Sequence, residues 1–215
     1  MKKTLDRIFI DGLSGMAQGL FATLIIGTII QQIGAMVTGN TGAWIILIGK
    51  VAAAMTGAGI GVGVARKFEA SQLVVVSAAT AGMVGAFAGK ILSGEILQNG
   101  AIVLAGPGEP LGAFVAAYLA VEVGILIAGK TKLDILITPI VTIGVGSAIG
   151  IFVGPPISKF MAWIGSLINW GTEQQPLIMG IVVSVLMGMV LTLPISSAAI
   201  GIVLNLSGLA AGAAT

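Results

Sequence analysis

The sequence predicts an all-α, polytopic helical membrane protein, and three observations predict it. Of the 215 residues, 57% are hydrophobic and only 8% are charged, whereas soluble domains carry about 25% charged residues. The mean hydropathy is +1.12. Long apolar runs alternate with short polar loops, as expected where backbone groups must be satisfied inside helices. The ~10-residue segments of alternating polarity that mark an outer-membrane barrel are not visible in the sequence. The 33 glycines suit helices that approach one another through small residues.

A membrane span needs about 20 largely apolar residues. The first expected span covers residues 13–37, with Gln31 and Gln32 near its end. The uncharged turn 38–42 leads into a second span over 43–65, which contains Lys50. After the charged loop Arg66-Lys67-Phe68-Glu69, a third span runs over 72–92 with Lys90 near its exit. Residues 93–110 are too short to cross, and their apolar centre suits a segment that dips in and returns. A fourth span follows over 111–129, and a fifth over 135–153, stopped by Gly154-Pro155-Pro156.

Residues 157–170 place apolar side chains at helical spacing beside Lys159, Trp163 and Trp170, which suits a helix lying in the interface. Beyond Gly171-Thr172-Glu173-Gln174-Gln175-Pro176, a sixth span is expected over 177–193. The tail after Pro194 is apolar but rich in Gly and Ser, a partial or re-entrant segment. The whole chain 1–215 therefore reads as one transmembrane domain of six or seven spans. Its parts are a five-span bundle over 12–154, an interfacial helix over 155–170, and a last part over 176–215. Spans two–three and four–five are both hairpins with basic turns and carry Gly85/Gly89 and Gly146/Gly150, which suggests an internal repeat.

Charge sets the expected orientation. Lys2, Lys3, Arg7, Arg66, Lys67, Lys130 and Lys132 fall in loops on one side, against Lys159 and the boundary residue Lys90 on the other. By the positive-inside rule the N-terminus is cytoplasmic. The start MKKTLDRIFIDG is basic, but its apolar continuation is too long for a signal peptide. A net charge of +2 without basic runs interleaved with aromatics gives no sign of nucleic-acid binding. With no Cys and no His, the chain can hold no disulfide, no thiolate nucleophile, no phosphohistidine and no His-based metal site. No catalytic residue and no cofactor is assigned.

The residues able to carry chemistry are the few charges inside apolar sequence, where a central charge costs about 2.5–3.5 kcal/mol on insertion scales. Lys50 sits about seven residues into its span; it either reaches back to the interface or partners a carboxylate or ligand. Glu122 lies within the fourth span, one turn after Tyr118, where an ion pair with Lys50 is one option and a proton, cation or hydroxyl site another. Glu109, in Gly106-Pro107-Gly108-Glu109-Pro110, stands where a helix N-terminus favours an anion; it either caps span four or faces a solute. Glu173 repeats the form, a carboxylate before amides and proline, and with Gln174 it either caps a helix or lines a vestibule. The glycine run Gly57–Gly63 (GAGIGVG) lies inside a span, where helix packing rather than dinucleotide binding explains it. Glu109 and Glu122 are thirteen residues apart, about 20 Å along a helix, so they read as an entrance and an interior station.

The stretches DGLSGMAQGLFATLIIGTIIQQIG, AGPGEPLGAFVAAYLAVEVG and GLAAGAAT resemble the second enzyme IIC family of the bacterial phosphotransferase system, over essentially the whole chain. Members of that family are longer, so the chain is expected to correspond to their front part. The resemblance implies a permease in the bacterial inner membrane that moves a small polar solute, a sugar first, with soluble phosphoryl-carrier subunits as partners. Enzyme IIC proteins of the glucose superfamily bind sugar through a Glu in a Gly-Ile/Thr-Thr-Glu-Pro type motif and a His elsewhere. Here Gly171-Thr172-Glu173 matches loosely, Gln174 and Gln175 intervene before Pro176, and the His has no counterpart. A homodimer is the expected assembly. The expected solute contacts are Lys50, Glu109, Tyr118, Glu122, Glu173 and Gln174. A non-transporting membrane regulator or scaffold, and an ion- or proton-coupled carrier, are the alternatives.

Overall fold

The computed structural model describes residues 7–172 and five isolated positions beyond them, Gly180, Ile181, Ser184, Val185 and Gly188. Glu173, Gln174, the expected sixth span and the tail lie outside the described residues, as do Lys2 and Lys3. Helix α1 occupies residues 7–36 as a rod built from Arg7–Gly12, Leu13–Leu20, Phe21–Ile25 and Ile26–Met36, the first and third segments winding in wider π-type turns. There follow α2 (Asn40–Ala54), α3 (Thr56–Lys67), α4 (Gln72–Ala86) and α5 (Ala88–Ser93). A two-stranded hairpin, β1 (Leu97–Gln98) against β2 (Ala101–Ile102), precedes α6 (Pro110–Ile127) and α7 (Asp134–Thr172). The described residues are all-α apart from this hairpin. Among the described residues, Ile10–Met36, Pro110–Ile127 and Asp134–Ile168 are long and apolar enough to cross a membrane, and the bent pair α2–α3 passes the same test when its two helices are taken together, the form of a broken span or a re-entrant loop.

The expected second span is not straight. α2 and α3 bend by 51° at Met55, which sits in the bridge region at φ −81°, ψ 10°. The buried Thr56 hydroxyl donates to the Ala53 carbonyl at 2.6 Å, so an acceptor at the break is satisfied within the turn. The expected third span is likewise interrupted at Phe87, between α4 and α5, and α4 alone is a shorter apolar helix.

Packing explains why the second half of that span departs from the first. α3 is clasped between α1 and α4, and its glycine run serves both neighbours at once. Gly59 and Gly63 meet Gly19 and Gly15 of α1, while Gly57 and Gly61 meet Gly82 and Ala78 of α4. Each pair of α3 glycines is four residues apart and so lies on one face. α2 instead packs mainly on α1, where Gly27 faces Gly49 and Gly34 faces Gly42. α2 and the Ile26–Met36 part of α1 therefore leave the bundle, which the Leu13–Leu20 part of α1 joins together with α3.

α4 is the centre of that bundle, touching α3, α6 and α7 through buried Val74, Ala78 and Ala81. Gly85 of α4 meets Gly112 of α6 and Gly150 of α7, with Gly146 and Gly154 packed to either side of Gly150. Of the glycine pairs expected to mark a repeat, Gly85, Gly146 and Gly150 pack, whereas Gly89 faces open space.

The expected stop at Gly154-Pro155-Pro156 is corrected by the structure. α7 continues through both prolines as one 39-residue helix, so the fifth span and the expected interfacial segment are one element. Proline removes an N–H donor and crowds the preceding turn, yet membrane helices accommodate it where neighbours hold the axis. Here Gly146, Gly150 and Gly154 seat α7 against α4, α5 and α6 up to the prolines. At 1.5 Å per residue α7 is about 58 Å long, nearly twice the ~30 Å hydrocarbon thickness.

Candidate functional site

The segment between α5 and α6 turns on local chemistry. Asn99 and Gly100 both take positive φ, 52° and 79°, the Asn-Gly signature of a tight hairpin turn. This signal was available in the sequence, and it makes residues 97–102 a hairpin. The chain then returns as an irregular strap over residues 103–109 that is pinned at three points, the first where the Val103 N–H donates to the Ile96 carbonyl at 2.8 Å. Lys90 Nζ donates to the Ala105 carbonyl at 2.9 Å, and the Glu109 N–H donates to the Ala86 carbonyl, at the α4–α5 break, at 2.8 Å. Gly106 and Gly108 supply the positive φ values, 81° and 72°, that let the strap fold back.

Glu109 is the N-cap of α6. Its carboxylate accepts the Leu111 N–H at 2.9 Å, with Pro110 in the first turn. Burial pushes its carboxyl above the usual carboxylate range, against the opposing pull of the Leu111 amide. The capping reading of Glu109 is the one the geometry supplies.

The strap divides two cavities. One, of about 560 Å³, is lined by Leu24, Thr28, Gln31, Lys50, Ala53 and Ala54 together with Leu104–Pro107 of the strap. Lys50 thus stands beside the bend that ends α2. The Thr28 hydroxyl donates to Leu24 O at 2.9 Å and Gln31 Nε2 to Gly27 O at 3.2 Å, leaving the other lone pairs and the second amide hydrogen available. The second cavity, about 520 Å³, lies across Gly106 and Pro107 and contains Lys90, Glu95, Glu109 and Ser158.

Glu122 is elsewhere. Its carboxylate pairs with Arg7 at 2.8 Å, and the Tyr118 hydroxyl lies within its hydrogen-bonding reach. Arg7 also covers the Phe68 ring at 4.6 Å, and Phe68 packs edge-on against Tyr118 with centroids 5.7 Å apart. Asp11 and Lys67, 4.0 Å apart, and Glu69 complete a polar depression at this end. The pair of Glu122 with Lys50 that the sequence allowed is thereby corrected. Lys50 lies by the strap before α6, whereas Glu122 lies toward the far end of α6 and meets a residue at the chain's start. Of the six expected contacts, the structure brings together Tyr118 with Glu122, places Lys50 and Glu109 on opposite sides of the strap, and leaves Glu173 and Gln174 outside the described residues. Arg7, Thr28, Gln31 and Lys90 were missed. Gln31 and Lys90 carried a sequence signal, as an amide and a charge within expected apolar spans.

The Arg7–Glu122 pair is partly open, with side chains 43% and 30% exposed, and such pairs contribute about 1 kcal/mol or less. Glu122→Gln is therefore expected to lower stability by no more than about 1 kcal/mol, checked by thermal unfolding in detergent. A loss of several kcal/mol would show that the pair carries more of the fold than its exposure allows.

The described helices form an all-α bundle of the membrane-spanning class. The sequence matches the family described as Phosphotransferase system, EIIC, over residues 10–215, and the chain belongs to that family. It is thus a membrane component that works with the phosphotransferase system. No curated protein matches the chain. No solved structure matches it either.

Proposed function

We propose that the chain is the permease part of a bacterial sugar phosphotransferase system and that its solute occupies the cavity between the α1–α2 hairpin and the strap. The observation that carries this reading is the convergence of Thr28, Gln31 and Lys50 on an otherwise apolar cavity beside a broken span. Few polar groups in an apolar cavity are the common form of a small-molecule site, and interrupted helices line the solute sites of many transporters. Hydroxyl, amide and ammonium together offer donors and acceptors to a polyhydroxylated solute. Soluble carrier subunits would supply the phosphoryl group, and the grouping of Arg7, Lys67, Lys130 and Lys132 in terminal or loop positions favours a cytoplasmic N-terminus in the inner membrane. Glu173 and Gln174 remain candidates for solute contact, Glu109 lies across the strap from the cavity, and the working unit is a homodimer.

The test is calorimetric titration of the detergent-purified chain with glucose, mannose, galactose and N-acetylglucosamine. Thr28→Val and Gln31→Leu are each expected to weaken binding of the recognised sugar about tenfold, the loss of one hydrogen bond of about 1–1.5 kcal/mol. Unchanged affinity in both variants would move the solute elsewhere. One observation favours a non-transporting scaffold instead, namely that Glu122 is taken up by a structural pair with Arg7. The absence of binding to any of the sugars would support it.

A further inference from the structure

We propose that the solute of the Lys50 cavity is an anionic sugar, one that carries a carboxylate or phosphate as well as hydroxyls. The inference rests on the proposed solute site and adds its charge class. Lys50 lies on α2 of the bent α2–α3 pair and is exposed on the chain itself; at membrane depth an ammonium is costly unless something answers its charge. Among the described residues, nothing in the chain does. Glu122 is held by Arg7, and Asp11 is nearest to Lys67. Glu109 caps α6, and it lines the other cavity together with Glu95 and Lys90. Among the described residues, the lining of the 560 Å³ cavity accordingly contains one cation and no carboxylate.

The cavity's other polar side chains are neutral. Thr28 and Gln31 each use one hydrogen on their own helix, one turn back, and retain capacity for hydroxyl groups. Lys90, the cation bonded to the strap, is turned onto the Ala105 carbonyl and lines the other cavity. The Lys50 cavity thus presents a single positive point beside hydroxyl-binding groups. That pattern complements a sugar with one negative substituent, because a charge-assisted hydrogen bond is roughly twice as strong as a neutral one.

The experiment compares glucose, glucuronate and glucose 6-phosphate by calorimetry on the full chain in lipid nanodiscs, in wild type, Lys50→Gln and Lys50→Arg. Galactose and galacturonate form a second matched pair. Wild type is expected to bind an anionic member of a pair about tenfold or more tightly than its neutral parent, and the arm that gains shows which anion is taken. Lys50→Gln should bring that ratio close to one, while Lys50→Arg keeps it, which separates lost charge from lost folding. Equal or tighter binding of the neutral sugar by wild type would overturn the charge assignment and leave the solute site standing. A preference that survives in Lys50→Gln would also overturn it. If none of these compounds binds, the site and the inference both fall.

Discussion

Gly108→Val should destabilise the protein by about 2–5 kcal/mol and abolish solute binding at the Lys50 cavity. Two costs combine. Gly108 has φ +72°, where a side chain costs about 1–2 kcal/mol. A Cβ there would also stand 2.8 Å from the Ala86 Cβ and carbonyl oxygen, and forced overpacking of that kind costs typically about 1–3 kcal/mol. The same carbonyl receives the Glu109 N–H, so the strap would lose its anchor as well as its space, and the cavity would lose its Leu104–Pro107 wall. Gly106→Ala is the matched control, with φ +81° but nothing within 4 Å of the added methyl group. It should show only the backbone cost. Equal midpoints of thermal unfolding for the two variants would mean that strap docking contributes nothing.

The second large effect is expected at Gly19. Its added Cβ would fall on the Gly59 carbonyl and lie 2.6 Å from the Ile60 nitrogen, both backbone atoms that cannot rotate aside. α1 would have to separate from α3. Gly19→Val should therefore cost at least the roughly 1–3 kcal/mol typical of overpacking, seen as a lowered unfolding midpoint and loss of the folded peak in size-exclusion chromatography. Gly144→Ala, at a helical glycine with open space around it, should be neutral or slightly stabilising. Wild-type behaviour of Gly19→Val would refute the close approach of α1 and α3.

These two positions show where sequence reading succeeds. The glycine run Gly57–Gly63 was legible as helix packing because residues four apart must share a face, and the structure assigns one face to α1 and the other to α4. The Glu109 cap was legible as one of two readings because cap, Pro110 and helix are adjacent in the chain. Features set by distant contacts were not. Met55 is neither glycine nor proline, and the bend there follows from α3 joining the bundle while α2 stays with α1. Pro155 and Pro156 signal a stop by local chemistry that tertiary packing of α7 overrides. Arg7 finds Glu122 across more than a hundred residues, and no spacing rule reaches that far. The solute cavity is similarly composite. Thr28, Lys50 and Leu104 belong to three segments, and none of them singles out the others.

The strap gives the two cavities a common wall, since Gly106 and Pro107 line both. Their volumes are consequently not independent. A displacement of this wall that widens one chamber narrows the other, so occupants on the two sides would oppose each other without touching. Thermodynamic linkage would make such antagonism equal in both directions.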